Sequence, residues 1–126
     1  MTDKTILVVE DDTTLSRSLQ EILTKEGFSV VTAIDGESAL ALVRAHHPSL
    51  ILLDLILSGM GGLEMLKALR ADASIASTPV MILSNQDEID TVSETLKGGV
   101  FDYLVKHEWR IEDVVTRIKE RLGMTK

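Results

Sequence analysis

Five polar residues stand at or just beyond the ends of short apolar runs: Glu10 and Asp11 after TILVV, Asp54 after LILL, Ser84 after PVMIL and Lys106 after DYLV. Carboxylates crowded into one crevice repel unless a cation neutralises them. A hard divalent ion such as Mg²⁺ is typically held by one or two carboxylates, with a phosphate group supplying further oxygens. A carboxylate beside such an ion can attack a phosphoryl group and become an acyl phosphate. Each residue taken singly has an ordinary explanation. An acid or Ser after a strand often caps the next helix, a role that suits Asp12, and a lone Lys is usually solvated. The chemistry depends on whether the fold gathers these residues at one place.

The pattern around them answers that question. Residues 5–10 (TILVVE, rich in β-branched residues), 28–33, 50–54 (LILLD), 79–84 (PVMILS) and 101–105 are short and largely apolar, as strands are. Between them the apolar residues recur at helical spacing: Leu15, Leu19, Ile22 and Leu23; Ala39, Leu40 and Val43 within 36–47; Leu63, Leu66 and Leu69; Ile89, Val92 and Leu96; and Ile111, Val114, Val115, Ile118 and Leu122. Gly27, Pro48, Gly98 with Gly99, and Gly123 supply stops. Five alternating β/α units predict an α/β fold, a doubly wound, flavodoxin-like parallel sheet with helices on both faces. Right-handed crossovers favour five strands in the order 2-1-3-4-5, with the strand at 101–105 nearer an edge. In such a sheet ligands bind beyond the carboxyl ends of the strands, between the first and third, where the order reverses. Glu10, Asp11, Asp12, Asp54, Ser84 and Lys106 all fall at that edge.

The chain has 126 residues, which suits one domain spanning 1–126. Aromatics make up 3% of it, so Leu, Ile, Val, Ala and Met must form the core, and Met60, Met65 and Met81 read as fillers. There is no cysteine, which excludes disulfides and thiolate metal sites and fits a cytoplasmic location. No apolar run is long enough to span a membrane, and no secretion signal is visible. A formal net charge of −7 argues against direct nucleic-acid binding, which needs clustered Lys and Arg. His46 and His47 are adjacent and do not share a helix face, so they read as C-terminal helix partners more than as metal ligands.

ILVVEDD, LILLDLIL, PVMILS and DYLVK resemble, in order and spacing, the motifs of the response regulator receiver family of two-component signal transduction, across essentially the whole chain. The stand-alone, chemotaxis-regulator-like type is the nearest match. The resemblance implies Asp54 as phosphoacceptor. Asp11, Asp54 and the backbone carbonyl of Ile56 would hold Mg²⁺ directly, with Glu10 acting through water. It further implies Lys106 paired with the phosphoryl oxygens, Ser84 donating its hydroxyl to one of them, and Tyr103 as the aromatic switch partner of Ser84. The implied donor is a histidine kinase or histidine phosphotransfer protein, and the implied output is a downstream effector protein. That effector would engage the surface of helix four, strand five and helix five of the pattern, and a phosphorylation-dependent dimer is allowed. Such a protein catalyses only its own phosphorylation and dephosphorylation and is not a conventional enzyme.

Three residues depart from the family pattern. Ser58 and His107 stand where proline is usual, and Asn85 stands where a small residue is usual. Without proline a cis bond at Lys106-His107 costs roughly 3–4 kcal/mol, so the loop that aims Lys106 can differ. Ile56 and Gln86 flank the path of the hydrolytic water in the family, and an apolar Ile56 predicts a long-lived phosphorylated state. The alternative is a pseudo-receiver, a protein-binding module of the same fold that is never phosphorylated. A flavin-binding α/β protein is more distant, because no Gly- and Ser/Thr-rich phosphate loop follows the first strand.

Overall fold

The computed structural model describes residues 4–54, 61–84, 102–105 and 110–124, with Leu104 the one described side chain of its last strand. Five strands, β1 (Thr5–Val9), β2 (Ser29–Ala33), β3 (Leu50–Asp54), β4 (Val80–Ser84) and β5 (Asp102–Val105), alternate with α1 (Thr13–Lys25), α2 (Gly36–His46) and α3 (Gly62–Ala71). The last helix of the pattern is α4 (Ile111–Arg121). The helical spacing at Ile89–Leu96 lies outside the described residues, as do Ser58, Met60, Asn85, Gln86 and His107. All strand pairs are parallel, and the order is β2-β1-β3-β4-β5, which puts β5 at an edge.

Strand periodicity divides the core into two layers. Leu7, Val9, Ile51, Leu53, Val80 and Ile82 point to one face, where they pack with Ala39, Leu40 and Val43 of α2 and Met65, Leu66 and Leu69 of α3. The alternate residues Ile6, Val8, Leu50, Leu52, Met81 and Leu83 point to the other, against Leu19 and Leu23 of α1 and Val114, Val115 and Ile118 of α4. This is why the central strands read as unbroken apolar runs: both faces are covered by helices. Leu52 is 1% exposed. Leu52→Ala therefore removes buried methylenes from a well-filled layer, and urea denaturation is expected to show a loss of about 2–5 kcal/mol. A change under ~1 kcal/mol would mean that the layer collapses around the gap.

The element ends differ from the sequence pattern for identifiable reasons. Phe28 was expected to open β2 but instead closes α1. Its N–H bonds Leu23 O (3.1 Å) and the Gly27 N–H bonds Thr24 O (3.0 Å), with Gly27 at φ 96°. That paired closure needs a left-handed residue, which glycine supplies without a Cβ penalty. Gly123 repeats it after α4 at φ 70°, with Met124 N bonded to Lys119 O at 2.8 Å. Pro79 lacks an N–H, so β4 begins at Val80, while the Pro79 carbonyl still accepts from Ile51 N (2.9 Å). His47 leaves α2 in a left-handed conformation (φ 45°) and gives its backbone N–H to Val43 O at 2.9 Å. That bond uses a main-chain group of His47, which any residue there supplies, and is not the side-chain role expected of the pair.

Asp35 caps α2 by accepting from Ser38 N at 2.8 Å. That N–H holds the Asp35 carboxyl below the usual carboxylate range. A lowered folded-state value means that the cap contributes fully above the ordinary carboxylate range and is lost as pH falls through the lowered value.

Candidate functional site

β1 and β3 are neighbours, with Val9 opposite Leu53. The next residue of each chain path is therefore an acid: Glu10 after Val9, and Asp54 after Leu53. Glu10 has left the strand, contrary to the expected end of β1, yet its N–H still completes the ladder to Ala33 O (3.0 Å). One carboxylate oxygen from each of Glu10, Asp11 and Asp54 lies within 4.8 Å of the others. Glu10 and Asp54 are 2% and 5% exposed, whereas Asp11 is open to solvent. Among the described residues this is the one group of His and acid side chains able to hold an ion, and His46 and His47 are not in it.

The donor set fits a hard divalent cation. All three groups offer carboxylate oxygens, and two sit where bulk water cannot screen their mutual repulsion. Such an ion would be held between two buried acids and one at the mouth. Asp12, the remaining acid of the run, is turned away to cap α1. Its Oδ1 accepts from Thr14 N (3.0 Å) and Leu15 N (3.2 Å), the role its position suggested.

Ser84 ends β4 one residue past Leu83, the partner of Asp54, and is 1% exposed. It lies opposite Val105 of β5. Tyr103 belongs to β5 opposite Ile82. The side chain of Tyr103, and Ile56 and Lys106 entirely, are outside the described residues. Of the residues singled out from sequence, the fold thus brings three acids into one cluster and sets Ser84 at the same sheet edge. One structural residue escaped the sequence reading. Arg70, near the end of α3, donates to the carbonyls of Ala76 (2.8 Å) and Thr78 (3.0 Å) and so braces the segment that leads into β4. A lone Arg near a helix end carries no spacing signal, so nothing in the pattern could have marked it.

A parallel sheet of this order, with an acid cluster at the reversal between its first and third strands, defines a doubly wound α/β protein with a cation-type crevice at its switch point. Within that class the chain belongs to the response regulator receiver domain family, whose model matches residues 6–119. It is 39% identical over 117 residues to the DNA-binding response regulator MtrA of Mycobacterium tuberculosis, covering 93% of this chain and 50% of MtrA. It is 40% identical over 113 residues to the cell cycle transcriptional regulator CtrA of Caulobacter vibrioides, covering 90% of this chain and 48% of CtrA. The chain thus spans about half the length of these relatives. Among solved structures, the receiver domain of the Francisella response regulator 1452 superposes with a TM-score of 0.83 at 30% identity, covering 98% of this chain and all of that one. The receiver domain of NtrX from Brucella abortus gives 0.80 at 28%, covering 95% and 99%. The expectation of no direct nucleic-acid contact draws no support from these relatives, since MtrA is a DNA-binding regulator and CtrA a transcriptional one. Among the described residues no helix is long and apolar enough to cross a membrane.

Proposed function

We propose that residues 1–126 act as one receiver domain, a cytoplasmic phosphorylation switch that accepts a phosphoryl group on Asp54 from a histidine kinase or histidine phosphotransfer protein. The observation that carries this reading is the cluster of Glu10, Asp11 and Asp54 within 4.8 Å at the sheet edge. An Asp54 carboxylate oxygen attacks phosphorus while the bond from phosphorus to the donor nitrogen breaks, leaving the phosphoryl group on Asp54 and the imidazole free. Asp11 and Asp54 would hold Mg²⁺ directly, together with the Ile56 carbonyl that the family pattern implies, and Glu10 would assist through water. When bound, the ion neutralises the charge of two anions brought together. Ser84 and Lys106 receive the phosphoryl oxygens, and Tyr103 follows Ser84. The protein supplies positioning and charge, which is most of what phosphoryl transfer requires.

The new negative charge and its acceptor oxygens favour a conformation whose surface, formed by the helical segment of the sequence pattern at Ile89, Val92 and Leu96 together with β5 and α4, engages a partner. DNA binding of the kind MtrA carries is one output such a switch would serve. Incubation with acetyl phosphate and Mg²⁺, followed by intact mass, tests the proposal. One phosphoryl group per chain is expected, and chelation of Mg²⁺ should prevent its uptake. A folded chain that takes up none under saturating Mg²⁺ would overturn this reading in favour of a non-phosphorylated binding module.

A further inference from the structure

Asp12 makes two connections at once. Its side chain caps α1 through Thr14 N and Leu15 N, and its own backbone N–H donates to Glu10 Oε2 at 3.2 Å. Glu10 is buried and belongs to the acid cluster; Asp12 is exposed and does not. The backbone at Asp12 is extended (φ −78°, ψ 105°), the geometry of a cap residue between strand and helix. A side chain bonded to two N–H groups of the first turn cannot rotate freely, so the cap fixes the dihedrals of Asp12 and hence the direction of its N–H. That N–H in turn fixes which way one Glu10 oxygen faces.

We propose that Asp12 is a positioning residue for the cation site, holding the Glu10 carboxylate in register through the start of α1. This rests on the proposed Mg²⁺ site and extends it to a residue outside the ligand set. The coupling is mechanical: it requires a hydrogen-bonding cap at residue 12 and does not require the negative charge of Asp12. Partners that orient a metal ligand commonly affect affinity by about 10- to 100-fold. Here the N–H survives substitution and only its direction loosens, so a smaller effect is expected, roughly fivefold.

The test is calorimetric titration of the whole chain with MgCl₂, alongside thermal unfolding without metal. Asp12→Ala should bind Mg²⁺ about fivefold more weakly than wild type. Asp12→Asn keeps a capping oxygen but not the charge, and should retain wild-type affinity. Asp35→Ala removes the corresponding cap from α2, whose residue has no place in the cluster, and should lower the melting temperature while leaving Mg²⁺ affinity unchanged. Wild-type affinity in Asp12→Ala overturns the inference while leaving the cation site standing. Equal weakening in Asp12→Ala and Asp12→Asn also overturns it, because charge and not position would then be the cause. Weakening in Asp35→Ala would do the same by tracing the effect to general destabilisation. Failure of the wild-type chain to bind Mg²⁺ overturns this inference together with the proposed metal site.

Discussion

Asp54→Asn is expected to take up no phosphoryl group from acetyl phosphate in saturating Mg²⁺, under conditions where the wild-type chain takes up one. The substitution keeps shape and volume, so the test isolates nucleophilicity. A carboxylate oxygen carries negative charge and an available lone pair; the amide oxygen is neutral and its nitrogen lone pair is delocalised. Neither amide atom can displace a leaving group from phosphorus at a comparable rate. Asp54 is buried within 4.8 Å of two other carboxylates, so removing its charge also relieves repulsion. The variant should remain folded, and its melting temperature is the control. Intact mass reads the outcome directly, and hydroxylamine release identifies an acyl phosphate in the wild type. Full labelling of Asp54→Asn would sink the assignment and move the phosphoacceptor elsewhere.

The position of Asp54 is legible in the sequence because strand geometry is strongly encoded here. Leu50, Ile51, Leu52 and Leu53 form an unbroken apolar run, too short for a helix and set off by Pro48, as suits a strand covered on both faces. The acid that ends it must then emerge at the carboxyl edge, and the strand order brings Glu10 and Asp11 to the same edge. The element ends were less legible because they depend on hydrogen bonds between a few atoms. Phe28 carries a strand-like side chain, yet its N–H is taken by the closing turn of α1. His47 follows a helical run, but its left-handed backbone has no signature in a residue that is not glycine. Asp12 was legible as a cap from its place between strand and helix; its contact to Glu10 was not, because the direction of one backbone N–H is set by dihedrals and not by residue type. Arg70 was missed for a similar reason, since its partners are carbonyls, which every residue has.

Asp11→Ala is expected to lower Mg²⁺ affinity by at least about a hundredfold, beyond the roughly 10- to 100-fold that follows when only a partner orienting a ligand is lost. Asp11 is the exposed member of the cluster, with Glu10 and Asp54 buried behind it. Its loss removes one of three negative charges and a ligand oxygen at the mouth of the crevice. The two remaining acids are sunk in the fold and cannot swing outward to replace it. Asp11 is solvent-exposed and its loss relieves repulsion within the cluster, so the substitution should not destabilise the fold, and an unlowered melting temperature would show that weakened binding cannot be put down to unfolding. The nucleophile remains in place, which separates this variant from Asp54→Asn. Labelling by acetyl phosphate should be slow at low Mg²⁺ and recover as the ion is raised toward the new, weaker dissociation constant, whereas no Mg²⁺ concentration should restore Asp54→Asn. Calorimetric titration gives the affinity, and intact mass at several Mg²⁺ concentrations gives the recovery. Unchanged Mg²⁺ affinity in Asp11→Ala would remove Asp11 from the ligand set. Weakened affinity with labelling that never recovers would instead show that Asp11 acts in the transfer itself, beyond holding the ion.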